Sequence, residues 1–180
     1  GYKPGDILAT LALNTHRHLE AYYGISGIGA ITHTLNFRLH PEQAVYIINH
    51  AEDKVIFVEA PFIPLLEALQ DKIPSVEKFI VFCDKEEMPE TSLKNCVSYE
   101  EYLEDGDDNF EWPKLPDDAA CGLCYTSGTT GNPKGVLYSH KSTILHAISA
   151  AAPKTLKVQP DDSSLVVVPM FHVMAWGVPY

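Results

Sequence analysis

The sequence predicts an α/β fold in which a partly parallel sheet is flanked by helices. Short apolar runs alternate with longer amphipathic segments through the first 83 residues, and this alternation is typical of a parallel sheet with helical crossovers. Of the 180 residues, 46% are hydrophobic and 21% are charged, which are ordinary values for a globular protein. A chain of this length can bury a substantial core.

Four strands are predicted in residues 1–83, and they are separated by helices. The strands are expected at 6–13, 30–36, 54–58 and 78–82. Asn14 is a suitable N-cap for the first helix, which ends near Gly27, and Pro41 opens the second at a position where proline is tolerated. A third helix spans 64–70. The side chains expected to face the core are Leu19, Tyr22, Tyr23 and Ile25 in the first helix, and Ala44, Val45, Ile48 and Ala51 in the second.

Residues 84–118 differ from the segments on either side because they carry most of the acidic excess and few apolar residues. Ser98 and Glu101 have the spacing of a capping box for one short helix over 98–103. The remainder is interpreted as a solvated acidic connector, which is what long acidic runs usually are.

After the connector, the pattern returns to strands and a helix. An apolar run at 119–124 and a second at 136–138 predict two strands joined by a polar loop. Ser139 is expected to cap a helix that runs to about Ala152. A buried strand is predicted at 164–170, with His172 just beyond its carboxyl end. The helix is expected to bury a stripe formed by Ile144, Leu145, Ile148 and Ala152.

The loop between the two strands has the composition of an anion-binding site. The stretch Tyr125–Val136 (YTSGTTGNPKGV) supplies glycines, hydroxyl side chains and one lysine, which suit a phosphate group better than they suit a simple hairpin turn. It is not a Walker A loop, because Pro133 precedes the lysine and Gly135 follows it.

Tyr125–Val136 resembles the signature loop of the adenylate-forming enzymes, which include acyl-CoA synthetases, peptide-synthetase adenylation domains and luciferases. It fits their pattern, aromatic-T-S-G-(S/T)-T-G-x-P-K-G-V, at every position. The segment 169–172 (PMFH) is similar to the next motif of that family, and 14–16 and 31–39 are similar to its N-terminal region. The chain most resembles the medium- and long-chain fatty-acyl-CoA synthetases and their methylmercaptopropionate-CoA relatives. The resemblance implies part of a large N-terminal domain, with 1–83 its first portion, 84–118 the connector and 119–180 the phosphate-loop and acyl-pocket segment.

The resemblance also implies roles for individual residues. Thr126 is expected to contact Mg²⁺ as well as phosphate, and His172 to line the carboxylate and adenylate pocket as the catalytic residue. Trp176 would lie at the mouth of the acyl tunnel, on the same face as His172 if the segment is helical. A histidine satisfied at a strand end and a core tryptophan are the alternatives. The residues implied to hold the ATP phosphates are Thr126, Ser127, Gly128, Thr129, Thr130, Gly131 and Lys134.

The implied activity is the ATP-dependent conversion of a fatty acid to an acyl-adenylate and then to acyl-CoA. Its substrates would be a carboxylic acid, ATP and coenzyme A. Another adenylate-forming ligase, a kinase-like use of the loop and a non-enzymatic fragment remain alternatives. Because later motifs of the family are absent from residues 1–180, we expect these residues alone to be inactive.

Charge and cysteine content narrow the class of partner and the compartment. A net charge of −11 without a lysine or arginine cluster argues against nucleic acid. Cys121 and Cys124 have the spacing of a zinc half-site, but no second pair completes it, so four buried or partly buried free thiols in a reducing, cytoplasmic setting are expected. No apolar run is long enough to span a membrane. A homodimer is a candidate assembly, and His33 and His40 are expected at the surface.

Overall fold

The computed structural model describes residues 1–126, 131–152, 154–157, 159 and 161–180. In this part of the chain, one sheet is formed by β1 (Ile7–Leu11), β2 (Ile31–Thr34), β3 (Val55–Val58), β4 (Lys78–Val81), β5 (Cys96–Ser98), β6 (Ala120–Thr126) and β7 (Lys134–Ser139). The helices that flank it are α1 (His16–Gly27), α2 (Pro41–Ala51), α3 (Ile63–Leu69), α4 (Tyr99–Leu103) and α5 (His140–Ala151).

The strand order is β5-β4-β3-β1-β2-β6-β7. Neighbouring strands from β5 to β6 are parallel, and β7 is antiparallel to β6. The predicted α/β fold with a partly parallel sheet is therefore confirmed. Parallel sheets need apolar residues on both faces, and β1, β2 and β3 are almost entirely buried.

Helix α1 begins one residue later than predicted. The N-cap is Thr15, whose Oγ1 accepts a hydrogen bond from the His18 amide at 3.4 Å, so the cap predicted at Asn14 is wrong. Leu19 and Tyr23 are 38% and 50% exposed, also against expectation. The buried residues do follow the i, i+3, i+4, i+7 spacing, but the series starts one residue earlier than predicted. This shift places a histidine in the core. The buried residues are His18, Ala21, Tyr22, Ile25 and Ser26.

Helix α2 begins at Pro41, as predicted, and buries Ile47, Ile48 and Ala51. Its C-cap, Glu52, has a left-handed φ of 59°, which turns the chain sharply. Asp53 follows this turn with no exposed surface. A carboxyl group with no access to water needs a partner.

The acidic segment contributes one strand that the sequence pattern did not predict. β5 pairs in parallel with β4 at the sheet edge, with Phe79 opposite Cys96. Leu93 and Tyr99 are buried beside it. The short helix was predicted correctly, since the Ser98 hydroxyl accepts a hydrogen bond from the Glu101 amide at 3.2 Å. A three-residue strand in polar surroundings is too short to produce a periodic signal.

The apolar stripe of α5 is not buried. Ile144, Leu145 and Ile148 are 57%, 56% and 65% exposed, so the predicted core role is wrong for the described chain. The opposite side of the helix makes the contacts: the Thr143 hydroxyl lies 3.3 Å from Cys121 Sγ, and His146 Nε2 lies 2.8 Å from the Trp176 carbonyl oxygen. Periodicity identifies an apolar face but does not say what covers it.

The buried strand predicted at 164–170 is also wrong. Residues 162–167 are irregular, and Leu165 and Val167 are 88% and 79% exposed. The valine-rich run has no neighbouring strand among the described residues. Its carbonyl groups at Val166 and Val168 accept hydrogen bonds from the Asn14 side chain instead.

The described part of the chain contains no helix with both the length and the apolar character that crossing a bilayer requires. All four cysteines are free: Cys83, Cys121 and Cys124 are buried and Cys96 is half-buried, as predicted.

The four thiols are expected to react slowly while the chain is folded. Burial, reinforced by the charges of Cys83 and Glu67, raises the pKa of Cys96 to about 11, and burial raises the pKa of Cys124 as well. The reactive thiolate is therefore scarce near pH 8. Intact-mass analysis after iodoacetamide treatment should show little labelling in buffer and four adducts in urea, with a peptide thiol as the reference. Rapid labelling of the folded chain would contradict the expectation.

Candidate functional site

A cavity of about 240 Å³ lies at the carboxyl ends of β2 and β6, where ligands of parallel sheets generally bind. The two strands are adjacent, and Thr34 pairs with Cys124. The residues lining this cavity that have polar or aromatic side chains are His33, Thr34, Asn36, Tyr125, Thr126, Tyr138, Phe171 and His172. Thr126 and His172, both predicted from sequence, therefore line one cavity.

The two ends of the glycine-rich loop are held together by the antiparallel pairing of β6 and β7. Thr126 stands opposite Lys134, and the Thr126 hydroxyl donates to the Lys134 carbonyl oxygen at 3.5 Å. Both residues are exposed, and no ion pair of Lys134 is found within the described ranges. Gly131 has a φ of +92°, a conformation that suits glycine. The predicted phosphate-binding residues Ser127, Gly128, Thr129 and Thr130 lie outside the described residues.

His172 is brought to the cavity by a segment that side chains of the first half of the chain hold in place. Asn14 donates to the carbonyl oxygens of Val166 and Val168 at 2.9 and 3.0 Å and accepts from the Met170 amide at 2.7 Å. The Tyr22 hydroxyl donates to the Met170 carbonyl oxygen, so the Met170 backbone is held by two hydrogen bonds.

The residue next to His172 is fixed in the same way. The Thr34 hydroxyl donates to the Phe171 carbonyl oxygen at 3.0 Å. The Phe171 ring packs edge-on against the Phe37 ring, with centroids 4.8 Å apart, and the Arg38 guanidinium lies 5.8 Å from the Phe171 centroid. The backbone around His172 is thus anchored while its imidazole remains exposed at the cavity. Sequence analysis missed Asn14, Tyr22 and Thr34 because these polar contacts bridge segments far apart in the chain.

Trp176 does not share the cavity of His172. Val173, Met174, Ala175 and Trp176 have φ values of 49°, 51°, 49° and 56°, so the expected right-handed helical face is absent. The Trp176 side chain is 57% exposed and lines a second, neighbouring cavity of about 330 Å³. That cavity is mainly apolar and is also lined by Tyr138, His146, Met174 and Tyr180. Tyr138 and Val173 border both cavities.

His33 is fully buried, so the prediction that it lies at the surface is wrong. Its Nδ1 lies 2.8 and 2.9 Å from the two carboxyl oxygens of Asp53, which is equally buried. Loss of hydration raises the pKa of Asp53, and the neighbouring imidazole opposes that shift. The residue pattern could have revealed the burial, because His33 stands between Ile31 and Leu35 at the two-residue spacing of one strand face.

Tyr125, the residue before Thr126, contacts this buried pair. Its ring lies 5.2 Å from the His33 ring, and its hydroxyl lies 2.6 Å from Nδ1 of His50 on α2. Burial and the Asp53 charge raise the pKa of Tyr125 to about 12, so the phenol stays protonated. Helix α2 and the base of the loop are thereby connected.

The described residues do not form a Mg²⁺ site on their own. They contain no group of three or more His, Cys, Asp or Glu side chains arranged for a metal ion. No described carboxylate lines the cavity at Thr126, whereas Mg²⁺ in proteins normally takes one or two carboxylates together with substrate phosphates. The Thr126 hydroxyl alone does not supply that donor set.

The whole chain, residues 1–180, matches the family model described as AMP-binding enzyme. The medium-chain-fatty-acid–CoA ligase of Ectopseudomonas oleovorans is 48% identical over 180 residues, which are 100% of this chain and 33% of that protein. The 3-methylmercaptopropionyl-CoA ligase of Ruegeria pomeroyi is also 48% identical, with the same coverage of both chains. The chain spans about a third of the length of the curated relatives it matches.

A crystal structure of the inhibitor-bound N-terminal domain of FACL13 from Mycobacterium tuberculosis superposes with a TM-score of 0.80 and 27% identity, covering 99% of this chain and 42% of that one. The predicted fold class, part of the N-terminal domain of an adenylate-forming enzyme, is confirmed by this agreement. Since the family model covers every residue, the chain belongs to the AMP-binding enzyme family.

Proposed function

We propose that this chain carries the ATP-binding part of an enzyme that activates a fatty acid as its adenylate and then transfers the acyl group to coenzyme A. The observation that carries the proposal is the cavity at which Thr126, at the base of the glycine-rich loop, lies with the exposed His172. The similarity to fatty-acid and methylmercaptopropionate ligases supports the substrate class.

The loop would stabilise the departing pyrophosphate. Attack of a carboxylate on the α-phosphorus of ATP moves negative charge onto the leaving group, and donors placed there lower the barrier. Lys134 offers a cation without a competing ion pair in the described chain, and Thr126 offers a hydroxyl. The same role is proposed for Ser127, Gly128, Thr129, Thr130 and Gly131.

His172 would bind the acyl carboxylate or the adenylate formed from it. Its side chain is exposed to the cavity, while hydrogen bonds with Asn14, Tyr22 and Thr34 fix the backbone on its N-terminal side. The neighbouring apolar cavity at Trp176 suits the hydrocarbon part of the acid, because such cavities bury apolar surface. Tyr138 and Val173, which border both cavities, would then lie near the junction between carboxylate and chain.

We also propose that the Thr126 hydroxyl contacts Mg²⁺. The phosphate oxygens of ATP would supply further ligands to the ion. We assign no chemical step to the ion, since the described residues do not complete its coordination.

The test is a product analysis with the gene product of natural length. Incubation with ATP, coenzyme A and medium- or long-chain fatty acids should yield AMP and pyrophosphate, read by mass spectrometry. ADP would instead indicate phosphoryl transfer, and turnover of aromatic acids alone would favour an aryl-CoA ligase. Residues 1–180 alone should release no pyrophosphate, and turnover by this piece would contradict that part of the proposal.

We further propose a cytoplasmic setting, which the four unpaired cysteines support. The exposed apolar side chains of α5 are consistent with an interface, so a homodimer stays a proposal that sedimentation can test. The net charge of −11 supports the absence of a nucleic-acid partner.

A further inference from the structure

The buried pair His33–Asp53 lies beside Tyr125, which precedes Thr126 at the base of the proposed phosphate loop. Both side chains are fully buried, and Nδ1 of His33 is hydrogen-bonded to the carboxyl group of Asp53. The other ring nitrogen, Nε2, is buried and has no hydrogen-bond partner among the residues that the structure describes. One nitrogen is therefore satisfied and the other is not.

Such a pair is an unfavourable way to fill a core. Removing two ionisable groups from water is expensive, and apolar residues of similar volume are often as stable or more stable. An unsatisfied buried nitrogen adds a further penalty of about 1–3 kcal/mol. Stability of the sheet does not explain why β2 and the turn that follows α2 carry these groups.

The position of the pair offers an explanation. His33 lines the same cavity as Thr126 and His172, and its ring contacts the ring of Tyr125. Tyr125 is followed immediately by Thr126, the first residue of the proposed phosphate site. From the side of α2, His50 holds the Tyr125 hydroxyl, and Tyr46 stacks on His50 with centroids 5.4 Å apart.

We propose that His33, held in one orientation by Asp53, is a positioning residue that fixes the Tyr125 ring and thereby the base of the phosphate loop. This inference rests on the proposed function. It states that the His33–Asp53 pair positions Thr126 and, through the pairing of β6 with β7, also Lys134. His33 itself is given no contact with substrate. At position 125 the aromatic ring is the group that His33 contacts. The Tyr125 hydroxyl adds a second contact, with His50 of α2.

The proposal is tested by separating stability from nucleotide binding in the gene product of natural length. The single variant His33→Leu leaves Asp53 buried without a partner and should lower the melting temperature. The double variant His33→Leu/Asp53→Leu removes both polar groups and should recover most of that loss. Its KM for ATP should nevertheless rise, and kcat/KM for ATP should stay about 10- to 100-fold below wild type. The KM for the fatty acid should change little.

Conservative changes provide a second test that does not depend on the double variant folding. Asp53→Asn keeps an oxygen that can accept from His33 Nδ1 and should retain more activity than Asp53→Leu. Tyr125→Phe, which keeps the ring, should retain more than Tyr125→Leu. Ile80→Ala is the matched control, because Ile80 is fully buried in β4 away from the cavity and its loss destabilises the core without touching the loop.

Binding of ATP and of inorganic pyrophosphate, measured by calorimetry, distinguishes this inference from the proposed function. If wild type binds both ligands and the double variant binds them equally well, the pair is purely structural and the inference is overturned. If the double variant recovers kcat/KM together with stability, the same conclusion follows. If wild type binds neither ligand, the proposed function fails and the positioning role fails with it.

Discussion

Replacing Lys134 with alanine is expected to lower kcat/KM for adenylate formation by about 10²- to 10³-fold, the loss typical of removing one preorganised donor from a developing anion. Lys134 is the first residue of β7 and stands opposite Thr126, so its side chain is attached at the base of the loop. No described carboxylate is paired with it, which leaves its charge available to phosphate. Because pyrophosphate carries more charge as it leaves, kcat should fall more than ATP affinity.

The measurement is pyrophosphate release under varied ATP, with Lys134→Arg and Lys141→Ala beside the alanine variant. Arginine keeps the charge and should restore part of the rate. Lys141 is exposed near the start of α5, outside the glycine-rich segment, so its removal serves as the control for the loss of one positive charge. Equal rates for Lys134→Ala and wild type would remove Lys134 from the phosphate site.

Acidification from about pH 7 to pH 4 is expected to lower the free energy of unfolding by about 3 kcal/mol through His18 alone. His18 is fully buried, with Nδ1 2.7 Å from the Leu13 carbonyl oxygen and Nε2 2.9 Å from the Thr10 hydroxyl. Burial lowers its pKa from 6.5 to about 4, against a smaller opposing effect of the Leu13 carbonyl. The unfolded chain therefore binds a proton in this window that the folded chain excludes, so the stabilisation is complete above pH 6.5 and is lost as the pH falls toward 4.

Urea denaturation followed by circular dichroism at several pH values checks this expectation. His18→Gln should be less stable at neutral pH but should lose less stability on acidification, since its amide does not titrate. The difference between the two pH profiles isolates His18 from the carboxyl groups and from the His33–Asp53 pair. Parallel profiles for the variant and wild type would show that His18 titrates normally in the folded chain.

The α/β architecture could be predicted because the local signals agree with one another over the first 83 residues. Apolar runs identified β1 to β4, and Pro41 correctly marked the start of α2. The glycine-rich loop and its flanking strands were equally clear, because composition and spacing are local properties of the chain. β5 was missed, since its three residues gain their strand conformation only by pairing with β4.

Three of the wrong predictions share a physical cause, which is that each depended on a partner distant in the sequence. The stripe at Ile144 and the run at Leu165 are apolar enough to be buried, but burial requires another element to cover them. The spacing of His33 with Ile31 and Leu35 favoured burial, but the partner that makes burial of a histidine possible, Asp53, lies beyond α2, and a lone histidine in a sequence gives no sign of it.

The candidate site shows the same division. Thr126, Lys134 and His172 were predicted from motifs, and the structure places Thr126 and His172 at one cavity. The contacts that Asn14, Tyr22 and Thr34 make with the backbone before His172 were not predictable, because hydrogen bonds between segments far apart in the sequence produce no periodic pattern.

The strand order also has a consequence for the sequence of folding events. β1 to β5 pair with strands that lie near them in the sequence, whereas β6 pairs with β2, so that Thr34 lies opposite Cys124, 90 residues later. The pairing of β6 can therefore form only after all the intervening chain has been made. Until then, the edge carrying His33 and Thr34 has no neighbour, and the cavity has only one wall. We therefore expect completion of the sheet and creation of the binding site to be one step, and this step to be slow because its contacts join residues far apart in the sequence. A ligand that contacts both β2 and β6 would stabilise the pairing of these two strands. Its binding free energy would therefore stabilise the folded state of the sheet as well as hold the substrate.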